Sequence, residues 1–431
     1  MYTTHPISLN INVRGLGKSA TLAIKAKCHE IRATGRRVFD FGLGQSPFPV
    51  PAPVVEALRE AAPCKDYLPV EGLPELREAV AGYHRTADGL PARAEDVLVG
   101  PGSKELVFLM QLVFYGEIIL TPPCWVSYLP QARILGRRLS LIHSTFEDGW
   151  KVAAPLLDES LARTQDDHRP RVIILNYPSN PTGASYSATE LKDLAEVARK
   201  YRLVVLSDEI YGRLHFRGAH ISIARFYPEG TIVSSGLSKW CGAGGWRLGT
   251  FTFPAAMSWM ARAMAAVASE TYTSVSAPIQ YAACRAFRFD QEIQDYLSCA
   301  RRVLAAIAER IVPMLRAAGI RVHAPDGGFY ILLDFSPLRD QLNARGIRNG
   351  DVLCERLITE TGVAILPGSA FGRPRGDLTA RLAFVDFDGG AALSATASTP
   401  PMAPLPAEFM EQHCAHLLLG IQSLADWTRA L

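Results

Sequence analysis

The sequence predicts an α/β fold in which a mostly parallel central sheet forms a large domain beside a smaller α+β domain. From about residue 51, short apolar runs alternate with helical stretches, which is typical of a parallel sheet covered by helices on both faces. A long helical stretch at about 290–318 then leads into strands with a different spacing, which indicates a second sheet. The length of 431 residues also favours two domains over a single core.

The N-terminal residues 1–18 show little periodicity, and we expect them to form an arm. The run GLGKS at 15–19 imitates the end of a phosphate-binding P-loop, but the complete motif requires a glycine where this chain has Asn12. No buried strand precedes the run either, so we reject a P-loop. Helical spacing follows at 19–34, with Ser19 as the expected N-cap and Gly35 as a stop signal.

The predicted large domain spans residues 51–305. Its strands are expected where apolar residues are nearly continuous, at 96–99, 117–120, 138–142, 172–175, 203–206 and 231–233. Its helices are expected where the spacing is helical, at 73–86, 103–114, 188–201 and 255–268. The loops at the carboxyl ends of such strands are where open parallel sheets bind ligands.

The predicted small domain combines residues 19–50 with 306–431. Residues 38–49 predict a strand that runs into a Gly/Pro loop, and further strands are expected at 322–335, 363–366 and 380–385. The stretch 389–406 is rich in Ala, Ser, Thr and Pro, so we expect an exposed loop there, without an assigned role. A helix at about 407–431 closes the chain.

The composition argues against several function classes. A formal net charge of +3 gives no reason to expect nucleic acid or an anionic membrane as a partner, and no apolar run approaches a membrane span. The eight cysteines are scattered without a CxxC pair, and the N-terminus lacks the layout of a signal peptide, so we expect free thiols and a cytoplasmic location. His413 and His416 lack a third ligand nearby, so no metal site is expected.

The most informative stretch is the glycine-rich run at 236–249, which contains Lys239 and, eight positions later, Arg247. Lys239 is expected on a loop at a strand end, where poor solvation lowers the pKa of its amine and makes it a nucleophile toward aldehydes. Arg247 can hold an anion bidentately, and the glycines let the backbone approach a flat ligand. A reactive lysine beside an anion site suggests pyridoxal phosphate, although a glycine-rich turn with solvated charges would explain this run alone equally well.

Four further loops at strand ends carry suitable chemistry. At 99–104, a glycine turn opens a helix whose free N–H groups form a general anion site. At 121–128, Trp125 can stack on a flat ring, although a packed core tryptophan is the commoner outcome. At 176–183, two prolines and a glycine rigidify a loop that presents the amide of Asn180, and at 207–211 Asp208 directly follows an apolar strand. A carboxylate there is costly unless it is paired, and a pyridinium nitrogen is a suitable partner.

Together these loops resemble the class I aminotransferases, which are fold-type I pyridoxal phosphate enzymes. The run 236–249 matches the lysine signature of that family, and the loops NYPSNPTG at 176–183 and SDEIY at 207–211 resemble its NxPxNPTG and sDExY motifs. Segments at 325–330, 366–372 and 381–384 are similar to its C-terminal markers. The resemblance covers nearly the whole chain. It implies a ping-pong transaminase that acts on an amino acid and a 2-oxo acid, with pyridoxal 5'-phosphate as cofactor, in a homodimer with shared active sites.

The resemblance implies a role for each residue that matches a motif. Lys239 binds the cofactor covalently and then moves a proton between the substrate's α-carbon and the cofactor. Asp208 pairs with the pyridine nitrogen, and Asn180 and Tyr211 hydrogen-bond the phenolic oxygen. Trp125 stacks on the ring and, like Asn180, faces the substrate.

Other residues hold the anionic groups in the site. The resemblance assigns the cofactor phosphate to Gly102, Ser103, Ser238 and Arg247. Tyr67 would reach the phosphate of the neighbouring subunit. Arg381 would bind the substrate's α-carboxylate, helped by the backbone of Gly44.

Lys104, in the phosphate turn, is the residue on which substrate choice is predicted to depend. A cation in the first turn of a helix opposes the helix dipole at a cost of ~0.3–1 kcal/mol, which suggests a purpose, although a solvated side chain would also explain it. Residues 102–104 and 125–128 resemble bacterial-type aspartate aminotransferases, in which the matching lysine meets the distal carboxylate of aspartate or glutamate. The other known solution, an arginine from the partner subunit, has no evident counterpart at 269–280. We therefore expect a dicarboxylic substrate in at least one half-reaction.

Three departures from the family pattern accompany the resemblance. The stretch 389–406 is longer than in compact members. Gly236 stands where many members have a phosphate-binding serine, and Gln45-Ser46-Pro47 replaces a more usual acidic segment after Gly44. A β-lyase, decarboxylase or cyclising synthase of the same fold would share the cofactor residues and is the alternative function. A cofactor-binding regulator would require an attached DNA-binding module, which the sequence does not show.

Overall fold

The computed structural model describes residues 9–17, 19–163, 169–400 and 403–431. Residues 1–8 and 18 of the predicted arm, and 401–402 of the predicted 389–406 loop, lie outside the described residues. The described part of the chain forms three sheets with helices packed around them.

The helices α1 to α15 follow in chain order: Ala20–Ala33, Ala52–Ala61, Pro74–Tyr83, Ser103–Val113, Tyr128–Ile134, Ala154–Ala162, Ala188–Lys200, Ser258–Ser269, Ala277–Phe287, Gln291–Ala317, Arg339–Ala344, Gly350–Thr361, Gly389–Ala397, Phe409–His413 and Ala415–Arg429. The strands β1 to β12 are Phe39–Asp40, Val97–Gly100, Glu117–Leu120, Arg138–Leu141, Arg171–Asn176, Val204–Asp208, Thr231–Gly236, Gly249–Thr252, Tyr330–Asp334, Val363–Ala364, Leu366–Pro367 and Thr379–Ala383.

The central sheet has seven strands in the order β2-β8-β7-β6-β5-β3-β4. Neighbouring strands from β7 to β4 are parallel, whereas β8 runs antiparallel to both β2 and β7. Alternate apolar side chains of the strands pack on opposite faces, one against α4 and α8 and the other against α6 and α7. The predicted mostly parallel sheet, covered on both faces, is therefore confirmed.

The register of the parallel strands places the site chemistry at one edge. Asn176 at the end of β5 pairs with Asp208 at the end of β6, and Asp208 pairs with Ser234 near the end of β7. Three strand ends and the loops that follow them therefore meet at the carboxyl edge of the sheet.

The smaller sheets lie in the predicted small domain. Strands β11, β12 and β9 form an antiparallel sheet in that order, and β1 pairs in parallel with β10. One apolar cluster includes β1, β9 and β12, the long helix α10, and Leu237 and Trp240 of the glycine-rich run. This cluster contains residues from both sides of the predicted boundaries at 50/51 and 305/306. The division of the chain into two domains therefore stays a prediction.

The expected exposed loop at 389–406 is wrong over its first half, which forms α13. Asp388 caps this helix by accepting a hydrogen bond from the Ala391 amide at 2.9 Å, and its alanines favour helix. Ala392 and Thr396 are buried. Arg302 of α10 donates to the carbonyls that end this segment, those of Thr396, Thr399 and Ala403.

Other elements differ from the sequence prediction at their boundaries. The strand expected at 322–335 is limited to β9, because Pro325 and the left-handed Gly328 (φ +68°) keep the preceding residues in a loop. The closing helix is divided into α14 and α15 at Cys414. Strand β8 was not predicted, because its sequence GTFT has a single large apolar residue. None of the helices in the described part of the chain is long and apolar enough to cross a membrane.

Candidate active site

A cavity of about 590 Å³ lies at the carboxyl edge of the central sheet, where β12 and α1 approach it. Most residues predicted from the sequence lie around this one cavity: Gly44, Ser103, Lys104, Trp125, Asn180, Asp208, Tyr211, Ser238, Lys239, Arg247 and Arg381. Gly102 lies directly behind them, because a Cβ atom there would be 2.2 Å from Nη2 of Arg247. Tyr67 does not line the cavity; its side chain is 89% exposed.

Lys239 follows β7 and points into this cavity. Its Nζ donates a hydrogen bond to the Gly44 carbonyl at 2.7 Å and lies 5.6 Å from the ring centre of Tyr211. Burial, followed by the positive charges of Arg381 and Arg247, lowers the pKa of Lys239 to about 7. A substantial fraction of the amine is therefore neutral and nucleophilic near pH 7, as the sequence predicted.

Asp208 is the last residue of β6 and is 4% exposed. Its carboxylate accepts hydrogen bonds from the Tyr128 hydroxyl at 2.5 Å and from the Ser234 hydroxyl at 3.4 Å. Burial raises the pKa of Asp208 to about 6, although these hydrogen bonds oppose the change. Among the described residues, no lysine or arginine forms an ion pair with it within 4.0 Å, so a protonated ring nitrogen fits this position.

The Asn180 loop is tied directly to the Asp208 strand. The Asn176 side chain donates to the Asp208 carbonyl at 2.8 Å and accepts from the Asn180 amide at 2.7 Å. The Asn180 side chain in turn accepts from Nη1 of Arg381 at 3.1 Å. Asn176 thus fixes the loop that carries Asn180 relative to the strand end that carries Asp208. This role was not predicted from the sequence.

Arg381, on β12, is 1% exposed and lies at the innermost end of the cavity. It also donates to the Gly42 carbonyl, and its guanidinium lies 4.7 Å from the ring centre of Tyr330 and 4.9 Å from that of Phe371. Burial lowers its pKa. A buried guanidinium without a carboxylate partner among the described residues is suited to binding a carboxylate from outside the chain.

Two tyrosines link the sheet edge to the loop that carries Gly44. The hydroxyl groups of Tyr211 and Tyr330 are 2.9 Å apart, and Tyr330 donates to the Gly44 carbonyl at 3.4 Å. A Cβ atom at position 44 would lie 1.9 Å from the Tyr330 hydroxyl, so only glycine permits this approach. The contribution of Tyr330 was not predicted from the sequence, although this residue lies in the C-terminal segment 325–330 that carries the resemblance.

The part of the cavity at the start of α4 has the features of an anion site. Helix α4 begins at Ser103 with free backbone N–H groups, and Gly102 precedes it with φ +95°. Arg247 is anchored there by donating to the Gly244 carbonyl at 3.0 Å and to the Pro101 carbonyl at 3.2 Å. These groups fit a phosphate.

Gly236, which stands where many members of the resembled family have a serine, has a structural reason in this chain. It pairs with Gly249 where β7 and β8 run closely antiparallel. A Cβ atom at 236 would lie 2.7 Å from the Leu248 carbonyl oxygen. A serine is therefore excluded by the backbone unless these strands separate.

The open side of the cavity contains residues that the sequence analysis did not predict. Thr21, Leu22 and Lys25 of α1 line the same cavity as Lys104 and Trp125, and Leu22, Lys25 and Lys104 are exposed. Lys104 is exposed as a whole residue, but its ammonium lies 5.3 Å from the Trp125 ring centre, and partial burial of this group, followed by the charge of Arg247, lowers its pKa. Helical spacing predicted α1 correctly, but nothing in its sequence indicated that one face would line the site.

Known proteins are similar to this chain in sequence and in fold. The family model described as aminotransferase class I and II matches residues 36–384. An aspartate aminotransferase from Bacillus sp. (strain YM-2) is 33% identical over 372 residues, covering 84% of this chain and 91% of that protein. An aspartate/prephenate aminotransferase from Thermus thermophilus is also 33% identical, over 376 residues that cover 85% of this chain and 93% of that protein.

Similarity extends to a relative named for another amino acid and to a solved structure. An asparagine–oxo-acid transaminase from Streptococcus mutans is 30% identical over 377 residues, covering 85% of this chain and 92% of that protein. The structure of Thermus thermophilus aspartate aminotransferase with maleate has a TM-score of 0.81 at 29% identity, covering 97% of this chain and 99% of that one. This chain therefore belongs to the class I and II aminotransferases, transferases of fold type I that use pyridoxal phosphate.

Proposed function

We propose that this aminotransferase moves an amino group from an amino acid to a 2-oxo acid by a ping-pong mechanism, with a dicarboxylic substrate in at least one half-reaction. The observation that carries the dicarboxylic part is Lys104, which lines the cavity beside Trp125. Burial and then the charge of Arg247 lower its pKa, and no carboxylate of the described residues forms an ion pair with it. A distal carboxylate on the substrate would provide the missing partner.

The chain's own residues bind and orient the substrate. Pyridoxal phosphate, when bound, supplies the aldehyde that joins the amino nitrogen and a ring that withdraws electrons from the α-carbon. Arg381 holds the α-carboxylate and so directs the α-hydrogen toward Lys239. With a pKa of about 7, Lys239 can take up and release this proton near neutral pH. The carboxylate of Asp208 stabilises a positive charge at the position of the ring nitrogen.

The remaining cavity residues would hold the cofactor. We assign the phosphate to Ser103, Ser238 and Arg247, with Gly102 giving it access to the backbone N–H groups of α4. Asn180 and Tyr211 would hydrogen-bond the phenolic oxygen, and Trp125 would cover the ring face.

The same proposal includes a homodimer in the cytoplasm, in which each subunit completes the other's site. The exposure of Tyr67, outside its own cavity, supports a contact with the phosphate of a partner subunit. A shared site would make activity depend on dimer formation, which activity measured across a dilution series would test.

The transaminase proposal is tested by adding one amino acid to the holoenzyme without any 2-oxo acid. A transaminase converts the cofactor fully to its amine form and releases one equivalent of 2-oxo acid per site. Release of ammonia or carbon dioxide with an unchanged cofactor spectrum would instead identify a β-lyase or a decarboxylase. A panel of donors against 2-oxoglutarate and oxaloacetate, compared as kcat/KM, would then identify the substrates.

The dicarboxylic part is tested by Lys104→Ala. Charge-assisted hydrogen bonds are worth ~1.5–3 kcal/mol, so kcat/KM for dicarboxylic substrates should fall roughly ten- to a hundredfold. Neutral substrates should change far less. Lys192→Ala, at an exposed position on α7 away from the cavity, is the matched control. Equal losses for both substrate classes would show that Lys104 serves the phosphate or the fold.

A further inference from the structure

Helix α1 has two functional faces. Ile24, Cys28 and Ile31 pack inward against the small-domain residues around Val38. Thr21 and Lys25, one helical turn apart, line the cavity instead. Lys25 is exposed, so it lies on the solvent side of the cavity.

The position of this helix is fixed by contacts with the site itself. Ile24 packs in a cluster that includes Trp125 and Phe371. It also contacts Gly42, where a Cβ atom would lie 2.7 Å from Cγ2 of Ile24. The Gly42 carbonyl accepts from Arg381, and the Lys104 ammonium lies near the Trp125 ring, so Lys25 is carried by a helix that contacts direct neighbours of both Arg381 and Lys104.

Lys25 is a charged residue of the cavity lining that has no role in the proposed function. Among the described residues, the lining cations of the cavity are Lys25, Lys104, Lys239, Arg247 and Arg381, and its lining carboxylate is Asp208. The proposed function gives a role to each of them except Lys25. No ion pair joins Lys25 to a carboxylate within the described ranges, so its ammonium is available to a ligand.

We propose that Lys25 is a specificity-determining residue that favours acidic substrates of five carbons over those of four. This rests on the proposed function and deepens it. Arg381 fixes the α-carboxylate at the buried end, so each further methylene between the carboxylates carries the distal one toward the open side. Glutamate and 2-oxoglutarate bring this group closer to Lys25 than aspartate and oxaloacetate do.

The test compares the holoenzyme with its Lys25→Gln variant. We measure kcat/KM for 2-oxoglutarate, oxaloacetate and pyruvate with one fixed amino donor. At low salt, loss of an exposed ion pair should reduce kcat/KM for 2-oxoglutarate roughly fivefold and for oxaloacetate by less than about twofold, with pyruvate unchanged. The loss should shrink as ionic strength rises, and Lys25→Arg should restore the wild-type preference.

Lys27→Gln is the matched control, because Lys27 is an exposed lysine of the same helix that does not line the cavity. If Lys25→Gln changes 2-oxoglutarate use no more than Lys27→Gln does, or changes pyruvate equally, the role of Lys25 is wrong. That outcome leaves the proposed function intact if Lys104→Ala still impairs both dicarboxylic acids. Failure of the wild-type enzyme to use either dicarboxylic acid would instead overturn the proposed function itself.

Discussion

The two walls of the cavity differ in burial and in how completely their polar groups are partnered. The inner wall, formed by Asp208, Asn180 and Arg381, is 4%, 3% and 1% exposed, and hydrogen bonds tie its members to neighbouring loops. The outer wall, formed by Lys25 and Lys104, is exposed and has no carboxylate partner among the described residues. Buried polar groups are costly to leave unpaired, whereas exposed charges change at little cost in stability. The inner wall therefore suits the reaction common to the family, and the outer wall suits substrate choice.

The largest expected effect comes from Lys239, which lies against the inner wall. Lys239→Ala should abolish the visible absorption of lysine-bound cofactor and nearly all turnover, since acid–base catalysis alone contributes ~10²–10⁴-fold. Absorption spectra and steady-state rates measure both effects. Lys192→Ala should retain both, and circular dichroism should show that each variant is folded. Wild-type turnover in Lys239→Ala would contradict the whole interpretation of this site.

The contrast between the walls also explains how far the sequence could predict the site. Inner-wall residues follow apolar strands or sit in motifs such as SDEIY, so Asp208, Asn180 and Lys239 were placed correctly at strand ends. Their supporting groups, Tyr128 and Tyr330, lie in segments that carry the resemblance, but no local pattern shows that these aromatic side chains contact the site rather than the core.

The outer wall was less predictable because tertiary packing decides which face of a helix meets the cavity. The spacing of Ile24, Cys28 and Ile31 predicts an amphipathic helix, but not that Lys25 would lie beside the site. Tertiary packing also explains why α13 was not predicted, because the start of this helix packs on the loop after Gly44. A Cβ atom at Gly389 would lie 2.1 Å from the Pro47 carbonyl oxygen. The two segments that depart from the family pattern thus contact each other.

Asp208→Asn should give the next largest loss. The variant should still bind cofactor, yet lose roughly 10²–10³-fold in kcat, because a neutral amide no longer favours a protonated ring nitrogen. Tyr128→Phe removes only a hydrogen bond to this carboxylate and should cost much less. Normal transamination by Asp208→Asn would show that Asp208 is not the partner of the ring.

Arg381→Ala should raise KM for every amino acid alike, because all substrates share the α-carboxylate. Removing one partner of a buried charge pair costs ~2–5 kcal/mol, so kcat/KM should fall by roughly thirtyfold or more. Steady-state kinetics with aspartate and alanine measure the loss for one acidic and one neutral donor. Lys104→Ala, on the outer wall, should instead lower kcat/KM for aspartate much more than for alanine. If Arg381→Ala also lowers kcat/KM for aspartate much more than for alanine, the inner wall contributes to substrate choice and the contrast between the two walls is wrong.

The smallest expected effect is a shift in the pH at which apoenzyme captures the cofactor. Attachment requires the neutral amine of Lys239, whose pKa is about 7, so the observed rate should rise roughly tenfold between pH 6 and pH 8. Nearby positive charges disfavour the protonated amine, so removing one should raise the pKa and move the midpoint to higher pH. Burial lowers this pKa most, followed by Arg381 and Arg247, with Lys104 contributing least. Rapid mixing of apoenzyme with pyridoxal phosphate should therefore show a larger upward shift for Arg381→Ala than for Lys104→Ala. Equal shifts would show that the exposed outer wall acts on Lys239 as strongly as the buried inner wall, and a downward shift in either variant would contradict the electrostatic cause.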